Sequence, residues 1–490
     1  MLQRKKVLAL FLVVVLVVIG SLIKQTNLRS WTLKEFNSQE LRWQDCYGDF
    51  QCSTFKVPVD YENINNKTFT LSVLRHRAVD QENRLGAILV NPGGPGGSAT
   101  DYAYNADLIV SKAIYERFDI VGFDPRGVNT SEPIRCLTNS EEDKYLETDV
   151  SADESKQIAE IVAISKEFAG KCAKVAGKKL GHYSTFEAAK DMEILRNLLN
   201  EKRLNYLGKS YGTYLGTLYA ALYPKSVGRM VLDGAVAPSV SLLDQELAQA
   251  IGFDSALENY LVTNKKIDIE DIKKLMARSL TNPMKSKKGR VATQSLVITA
   301  IAQSLYDPES GWKELTKALD LALEKEDPTG ILALADSYNN RDSSGNYYSN
   351  QTDVSAMISC LDWREDRTIS EIAADREKFK RTSPIFGPFL SLSSLSCKFW
   401  RAKPVLPNID LTKIDTKPVL IIGVTQDPAT PFKWAKALAK VFTKAELVTL
   451  KGEGHTGHNR GNACVDTAVD SYFLTGKIGS KGLICTQSGN

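Results

Sequence analysis

A serine in the motif G-K-S-Y-G is the residue of this 490-residue chain whose type and surroundings most directly predict chemistry. The motif occupies residues 208–212 and fits G-x-S-x-G, in which a serine is held on a sharp turn between a strand and a helix. A short apolar run, residues 204–207, precedes it, and a run of small and apolar residues follows it. The pattern therefore predicts a strand, a serine turn and a helix, with Ser210 as a nucleophile.

A glycine-rich loop, N-P-G-G-P-G-G-S at residues 91–98, supplies a second part of this chemistry. It follows the apolar run 87–90, which predicts a strand. Such a loop can offer backbone N–H groups to the oxyanion that forms when a serine attacks a carbonyl carbon. We expect the N–H groups of Gly94 and Tyr211 to bind this oxyanion, so the predicted reaction is acyl transfer to water.

A serine hydroxyl needs a base, and the base needs an acid that orients it. The chain has four histidines, and only His455 and His458 follow the serine, as the order Ser, acid, His requires. Both lie in a glycine-rich loop after the apolar run 445–450. We predict His455 as the base because it follows the strand directly, behind a G-x-G turn. His458 is the rival, and its alternative interpretation is a solvated loop histidine.

Asp427 is the predicted acid, because it follows the continuous apolar run 417–424, which is typical of a buried parallel strand. Asp233, at the end of an earlier predicted strand, is an alternative acid. Asp124 precedes the serine, and we expect it to brace a loop beside Arg126.

Several segments resemble the prolyl aminopeptidase and tripeptidyl aminopeptidase family of α/β-hydrolases, and the similarity covers nearly all of the chain after residue 40. They are residues 91–98, 123–127, 206–216 and 231–234, and the stretch around Asp427, His455 and Cys464. The glycine-rich loop resembles the secreted tripeptidyl-aminopeptidase branch, with Pro92 in place of the family's histidine. Lys209 stands where an aromatic or aliphatic residue is frequent, and Asn129 where glycine is usual.

The resemblance implies an α/β-hydrolase and an exported serine exopeptidase that works from the free N-terminus of a peptide, of the tripeptidyl- or prolyl-aminopeptidase type. It implies no cofactor, and peptides with a free N-terminus as partners. A carboxylesterase with the same triad is the alternative. A catalytically inactive hydrolase used for binding is disfavoured, because Ser210, Asp427 and His455 are all present.

The apolar runs predict an α/β protein whose mostly parallel sheet has eight strands, at residues 53–59, 69–75, 87–90, 119–123, 204–207, 229–232, 419–424 and 445–450. The gap between residues 233 and 419 greatly exceeds an ordinary crossover and is rich in helical patterns. It predicts a mainly helical lid, residues 237–403, above Ser210, between core segments 46–236 and 404–490. The polar stretch 339–352 is predicted to be a mobile loop.

An exopeptidase must recognise the α-ammonium of its substrate, and a carboxylate in the lid could do so by ion pairing. The acidic stretch 359–366 offers Asp362 first and Glu365 second. The alternative interpretation is a solvated acidic turn.

The N-terminus carries a targeting pattern. Three basic residues precede the apolar run 7–23, so residues 1–23 are predicted to be a signal peptide or an N-terminal membrane anchor. Residues 24–45 are predicted to be a polar linker. We expect an exported protein, secreted or anchored to the outer face of the cell membrane; the membrane contact would be through this segment only if it is uncleaved.

The chain has eight cysteines, an even number that predicts four disulfides in an exported protein. The sequence alone leaves the connectivity open, and the family resemblance implies the pairs Cys46–Cys52, Cys136–Cys172, Cys360–Cys397 and Cys464–Cys485. No cysteine pair has C-x-x-C spacing, so we expect no metal site. The net charge is only +4, and no basic run with interleaved aromatic residues occurs beyond the N-terminus, so nucleic-acid binding is not predicted.

Overall fold

A computed structural model describes residues 31–65, 67–150, 155–363, 365–403, 409–479 and 481–487. The segment predicted to be a signal peptide or anchor, residues 1–23, lies outside these ranges. None of the helices in the described part of the chain has the length and apolar character needed to cross a membrane.

Twelve strands are present in the described residues, and ten of them form one central sheet. The strands are β1 Gln44–Cys46, β2 Phe50–Pro58, β3 Thr68–His76, β4 Ala87–Asn91, β5 Asp119–Phe123, β6 Leu204–Lys209, β7 Val227–Asp233, β8 Met284–Lys285, β9 Val291–Ala292, β10 Val419–Gln426, β11 Ala445–Glu453 and β12 Ile484–Thr486. The sheet order is β1-β2-β3-β5-β4-β6-β7-β10-β11-β12. Strands β1, β2, β3 and β5 pair antiparallel, and the remaining pairs are parallel.

This is the α/β-hydrolase fold that the resemblance implied, with two strands more than the eight predicted. The additional strands, β1 and β12, are three residues long and lie at the two edges of the sheet. Neither contains an apolar run that would have indicated a strand. The central strands β4 and β5 are buried along their whole length, as their apolar sequences predicted.

The helices of the described residues, in chain order, are α1 Leu33–Phe36, α2 Ala99–Tyr104, α3 Ala106–Ile109, α4 Lys112–Arg117, α5 Asn139–Glu147, α6 Ser155–Ala176, α7 Thr185–Leu198, α8 Tyr211–Leu222, α9 Leu242–Thr263, α10 Ile269–Thr281, α11 Gln294–Leu305, α12 Gly311–Lys325, α13 Thr329–Tyr338, α14 Gln351–Asp362, α15 Ile369–Thr382, α16 Gly387–Leu390, α17 Leu395–Lys398, α18 Phe432–Val441 and α19 Ala463–Thr475. Helix α8, which follows Ser210, is almost wholly buried because its residues are small, aromatic or aliphatic.

Helices α9 to α17 and the β8–β9 hairpin lie between β7 and β10 in the chain, where the lid was predicted, and have a hydrophobic core of their own; we refer to them as the lid. Helix α5, in the predicted core segment 46–236, contacts the lid. Arg341 donates to Asp143 at 2.7 Å, and Arg290 donates to Glu147 at 3.0 Å. The lid therefore rests on a segment that precedes Ser210 in the chain.

Two polar stretches are more ordered than their composition predicted. In the predicted linker, residues 31–45 contain α1, with a capping box and a fully buried Phe36, and most of β1. In the predicted mobile loop 339–352, the Tyr347 hydroxyl donates to Asp143 at 2.8 Å, and Asn350 is buried. In both stretches, tertiary contacts outweigh the polar local sequence.

Four disulfides join Cys46–Cys52, Cys136–Cys172, Cys360–Cys397 and Cys464–Cys485, the pairs that the family resemblance implied. Within the described residues no cysteine is free.

Candidate active site

Ser210 lies at the turn between β6 and α8, with backbone angles φ 54° and ψ −126°. A non-glycine residue rarely adopts a positive φ, and this conformation presents its side chain at a sharp turn. A Cβ on Gly208 would lie 2.5 Å from the carbonyl oxygen of Gly212, so the turn requires glycine on the strand side. The Ser210 N–H donates to the carbonyl of Asp233 at 2.9 Å, which ties the turn to the end of β7.

The glycine-rich loop after β4 passes directly against this turn. A Cβ on Gly93 would lie 2.9 Å from the Ser210 Cβ and 3.2 Å from the Tyr211 nitrogen. Among the described residues, neither the Gly94 N–H nor the Tyr211 N–H has a hydrogen-bond acceptor. Two unpaired backbone donors next to a serine are what an oxyanion requires.

Asp124 braces the far end of this loop. Its buried carboxylate accepts hydrogen bonds from the Ser98 hydroxyl at 3.0 Å and the Thr100 hydroxyl at 2.8 Å. Asn129, which replaces the usual glycine, has φ 41° and donates to Ser98 at 2.9 Å. Asparagine tolerates this conformation better than most residues, so the departure from the family pattern leaves the loop intact. Arg126 contacts Asp191 at 2.7 Å, so it does not share the brace with Asp124.

The two side chains predicted as base and acid are in direct contact. His455 Nδ1 lies 2.9 Å from Asp427 Oδ1 and 3.0 Å from Oδ2, and both residues are buried. Asp427 also accepts the N–H groups of Ala429 at 2.9 Å and Thr430 at 2.7 Å. These hydrogen bonds hold the carboxylate in place beside the imidazole, whose tautomer it can fix.

The lid contacts the histidine directly. The backbone N–H of His455 donates to the carbonyl of Tyr306 at 2.9 Å. The two rings meet edge to face, with their centroids 5.1 Å apart. Tyr306 follows α11, so the position of the histidine depends on the lid as well as on the core.

The rival residues have other surroundings. Asp233 accepts the N–H groups of Gly457 at 2.8 Å and His458 at 3.0 Å, so it binds the histidine loop through its backbone. His458 is only 1% exposed, which makes its interpretation as a solvated loop histidine wrong. Its Nδ1 has no hydrogen-bond partner among the described residues, and burial lowers its pKa to about 3.

Sequence reasoning did not predict the contacts of Lys209, although its departure from the family pattern was a signal. Its ammonium is nearly buried, donates to the carbonyl of His458 at 2.8 Å and lies 4.0 Å from Asp233 Oδ2.

Asp362 ends α14 and is 7% exposed, so it is not a solvated acidic turn. It accepts the N–H of Thr185 at 2.8 Å and the Thr185 hydroxyl, which also contacts the hydroxyl of Tyr211. Burial raises its pKa to about 7. Within the described part of the chain it has no ion pair with a cationic side chain. Glu365, the second candidate, is ion-paired with Arg367, which also donates to Asp375 at 2.7 Å.

Comparison with known proteins identifies the family. Residues 383–485 match the family described as TAP-like protein. The chain is 32% identical over 480 residues to the serine protease Hip1 of Mycobacterium tuberculosis, covering 91% of each chain. It is 33% identical over 453 residues to carboxylesterase B of the same species, covering 89% of this chain and 86% of the relative. Identity to the tripeptidyl aminopeptidase of Streptomyces lividans is 30% over 471 residues, covering 90% and 86%.

The chain belongs to the TAP-like family of α/β-hydrolases. It is a serine hydrolase of that family, and the names of its relatives include both peptidases and an esterase. These names do not distinguish a peptide substrate from an ester, so the observations that bear on substrate binding come from the lid of this TAP-like chain.

A second acid in the TAP-like lid, Glu246 on α9, was not predicted from the sequence. It is 5% exposed, accepts a hydrogen bond from Ser393 and lies 3.9 Å from Arg367. Its Oε2 has no hydrogen bond among the described residues, and burial raises its pKa to about 8. No local sequence pattern predicts this burial, because Arg367 lies just before α15 and Ser393 lies in the turn between α16 and α17.

An apolar cavity of about 340 Å³ lies between the lid and residues 145–150 and 161–165, and the aromatic residues of its wall include Phe253, Tyr338 and Phe386. Phe253 and Tyr338 both contact the ring of Tyr306, which contacts His455. The cavity therefore lies behind the aromatic layer that covers the histidine.

Proposed function

We propose that this TAP-like serine hydrolase is an exported exopeptidase that cleaves peptides from their free N-terminus, as a tripeptidyl- or prolyl-aminopeptidase does. Ser210 attacks the scissile carbonyl, and His455 takes the hydroxyl proton and returns it to the leaving amine. Asp427 orients the imidazole, and the N–H groups of Gly94 and Tyr211 bind the oxyanion. Water then hydrolyses the acyl-enzyme by the same route.

The observation that carries the proposal is the buried Asp362 carboxylate, which has no cationic partner among the described side chains. A buried carboxylate that is not ion-paired favours its neutral form, and an arriving ammonium group reverses this preference. The α-ammonium of a peptide would therefore pair with Asp362 through a charge-assisted hydrogen bond. Glu365 is a weaker candidate, because Arg367 already neutralises it.

The geometry supports a fixed separation between the amine and the scissile bond. Tyr211 offers its N–H to the oxyanion, and its hydroxyl contacts the Thr185 side chain that binds Asp362. Helix α14 carries Asp362 at its end, and near its start Val354 packs on the glycine-rich loop, 2.6 Å from where a Cβ on Gly96 would lie. An exopeptidase needs such a fixed separation in order to measure from the chain end.

Export is supported by the four disulfides, since such bonds persist in oxidising compartments. The predicted targeting segment, residues 1–23, agrees with this proposal.

Carboxylesterase activity is the second candidate. The apolar lid cavity of about 340 Å³ could receive an acyl chain, and the relative that is 33% identical carries the name carboxylesterase B. The chemistry at Ser210 would be the same, with an alkoxide as the leaving group.

A substrate comparison tests the proposal. The purified protein is assayed with tripeptide p-nitroanilides that have a free or an acetylated N-terminus, and with p-nitrophenyl butyrate. The Ser210→Ala variant measures the background. We expect turnover of the free-amine peptides and none of the acetylated ones. Equal cleavage of both peptides would refute the exopeptidase proposal, and hydrolysis of the ester alone would favour the esterase.

A further inference from the structure

A nearly buried ion pair lies under the loop that carries His455. Lys209 ends β6 and Asp233 ends β7, and the two residues are direct partners in the parallel register of these strands. The Lys209 Nζ lies 4.0 Å from Asp233 Oδ2, and the two side chains are 12% and 0% exposed. The next residue after Lys209 is the serine of the motif.

Both members of the pair bind the histidine loop. Asp233 accepts the N–H groups of Gly457 at 2.8 Å and His458 at 3.0 Å, and Lys209 donates to the carbonyl of His458 at 2.8 Å. The main chain of the loop is therefore held at both kinds of polar group: two of its N–H groups donate to Asp233, and one of its carbonyls accepts from Lys209.

The backbone at the end of β7 also contacts both the nucleophile and the base. The carbonyl of Asp233 accepts the Ser210 N–H at 2.9 Å. A Cβ on Gly234 would lie 3.3 Å from the His455 Cε1, so no side chain separates this turn from the imidazole. One short segment thus contacts both reacting residues.

Burial favours the neutral form of each group, since it raises the pKa of Asp233 and lowers the pKa of Lys209. The attraction between them and the two backbone donors to Asp233 oppose this effect. Removing one partner would leave the other charge uncompensated in a buried place. A packing role would not need a lysine here, because an apolar side chain could fill the same space.

We propose that Lys209 and Asp233 are positioning residues for His455, which hold its loop in register with Ser210 and whose opposite charges offset one another at the imidazole. The inference depends on the proposed role of His455 as the base. The other groups that face this region are Asp427, the Tyr306 ring from the lid, His458 and Arg460 from the loop, Asp466 from α19 and Tyr102 from α2. They are unchanged in the variants below, so the variants report on the pair.

The test measures kcat/KM as a function of pH, and the rate at which a fluorophosphonate labels Ser210, for Lys209→Met, Asp233→Asn and the double variant. In Lys209→Met the remaining anion favours the imidazolium, so the acid limb should move to higher pH by roughly one unit. In Asp233→Asn the remaining cation disfavours it, so the limb should move to lower pH by a similar amount. The double variant should return close to the wild-type profile, with a lower rate.

Two controls separate charge from structure. Lys209→Gln keeps a donor for the His458 carbonyl but lacks the charge, so it should keep more activity than Lys209→Met and show the same shift. Lys209→Gln also keeps the inference testable if Asp233→Asn does not fold. Lys451→Met removes an exposed lysine from β11 and should leave the profile unchanged.

Loss of activity in Lys209→Met and Lys209→Gln with no movement of the acid limb would reduce the pair to a structural role and overturn the inference. Shifts of the same sign in the two single variants would also overturn it. If the wild-type protein is not labelled at Ser210, the proposed function fails instead. Labelling of the wild type with unchanged profiles in all variants removes only the inference about the pair.

Discussion

Replacing Asp362 by asparagine tests the proposed substrate class most directly, because the change removes a charge and little else. The asparagine oxygen can accept the Thr185 N–H, which donates to Asp362 at 2.8 Å. The amide nitrogen can donate to the Thr185 hydroxyl, which can still contact Tyr211. We therefore expect the variant to fold and to keep the arrangement of α14 and α7.

The size of the effect follows from the kind of hydrogen bond that is lost. A hydrogen bond to a charged group contributes about 1.5–3 kcal/mol, against about 1 kcal/mol for a neutral one. The difference corresponds to roughly a 3- to 30-fold loss in kcat/KM for free-amine peptides. Because the ammonium is bound before and during the reaction, the loss should be a higher KM with little change in kcat. Hydrolysis of p-nitrophenyl butyrate should be unchanged.

The pH dependence gives a second measurement. The pKa of Asp362 is raised to about 7, so its carboxylate is charged above that pH. An α-amino group remains protonated below about 7.7–8.0. The KM for free-amine peptides should therefore be lowest between about pH 7 and 8 and should rise on the acid side. In the Asp362→Asn variant the rise on the acid side should disappear.

The same shift predicts the sign of a stability change. A carboxyl group with a raised pKa binds its proton more tightly in the folded state, so its contribution to stability is lost as the pH rises toward 7. Asp362→Asn should thus be as stable as the wild type or more stable at pH 8, measured by thermal unfolding. A large loss of stability at pH 8 would contradict this view of the site.

Glu365→Gln is the matched control, because it removes a neighbouring carboxylate that Arg367 already neutralises. We expect it to leave the KM for free-amine peptides unchanged. The reasoning is refuted if Asp362→Asn impairs the ester and the peptides equally, or if the peptide effect appears in Glu365→Gln instead.

Three further predictions follow from the structure. Ser210→Ala and His455→Ala should each abolish nearly all turnover, and the double variant should be little worse, since triad members act as a unit; activity in His455→Ala with none in His458→Ala would contradict the assignment of the base. Opening the Cys136–Cys172 disulfide by a double serine replacement should lower the free energy of unfolding by about 3–4 kcal/mol in the chain-entropy model, measured with denaturant. Glu246→Gln should raise the melting temperature at pH 8.5 but not at pH 5.5, because the pKa of this buried acid is raised to about 8; an equal change at both pH values would contradict that cause.

The chemistry-bearing residues could be predicted from the sequence because each depends on a local pattern. Ser210 needs glycine beside it and an apolar strand before it, and both leave a signature in the chain. Asp427 and His455 follow predicted strands whose carboxyl ends meet at one edge of a parallel sheet, so their contact at 2.9 Å could be expected.

Other features have no local signature. The Lys209 ammonium contacts a carbonyl 249 positions later in the chain, and Glu246 is buried by residues that follow it by more than a hundred positions. Asn350, in a stretch expected to be mobile, donates from its side chain to the carbonyls of Gly127 at 2.8 Å and Ile134 at 2.7 Å. In each case the partners of a buried polar side chain lie far away in the sequence, so composition and periodicity do not reveal them.

The buried Asp362 carboxylate, which has no ion pair among the described side chains, leads to a final prediction about binding. Its desolvation costs stability in the free protein, and a bound ammonium group offsets part of that cost. The Ser210→Ala variant should therefore be stabilised by a tripeptide amide with a free N-terminus, by about 2.7 kcal/mol at 100 times its Kd, and the gain should be larger at pH 7.5 than at pH 5.5. The N-acetylated peptide has the same side chains but no ammonium, so it should give a much smaller shift in thermal unfolding. Equal stabilisation by the two peptides would mean that the lid recognises side chains alone, and the burial of Asp362 would then need another explanation.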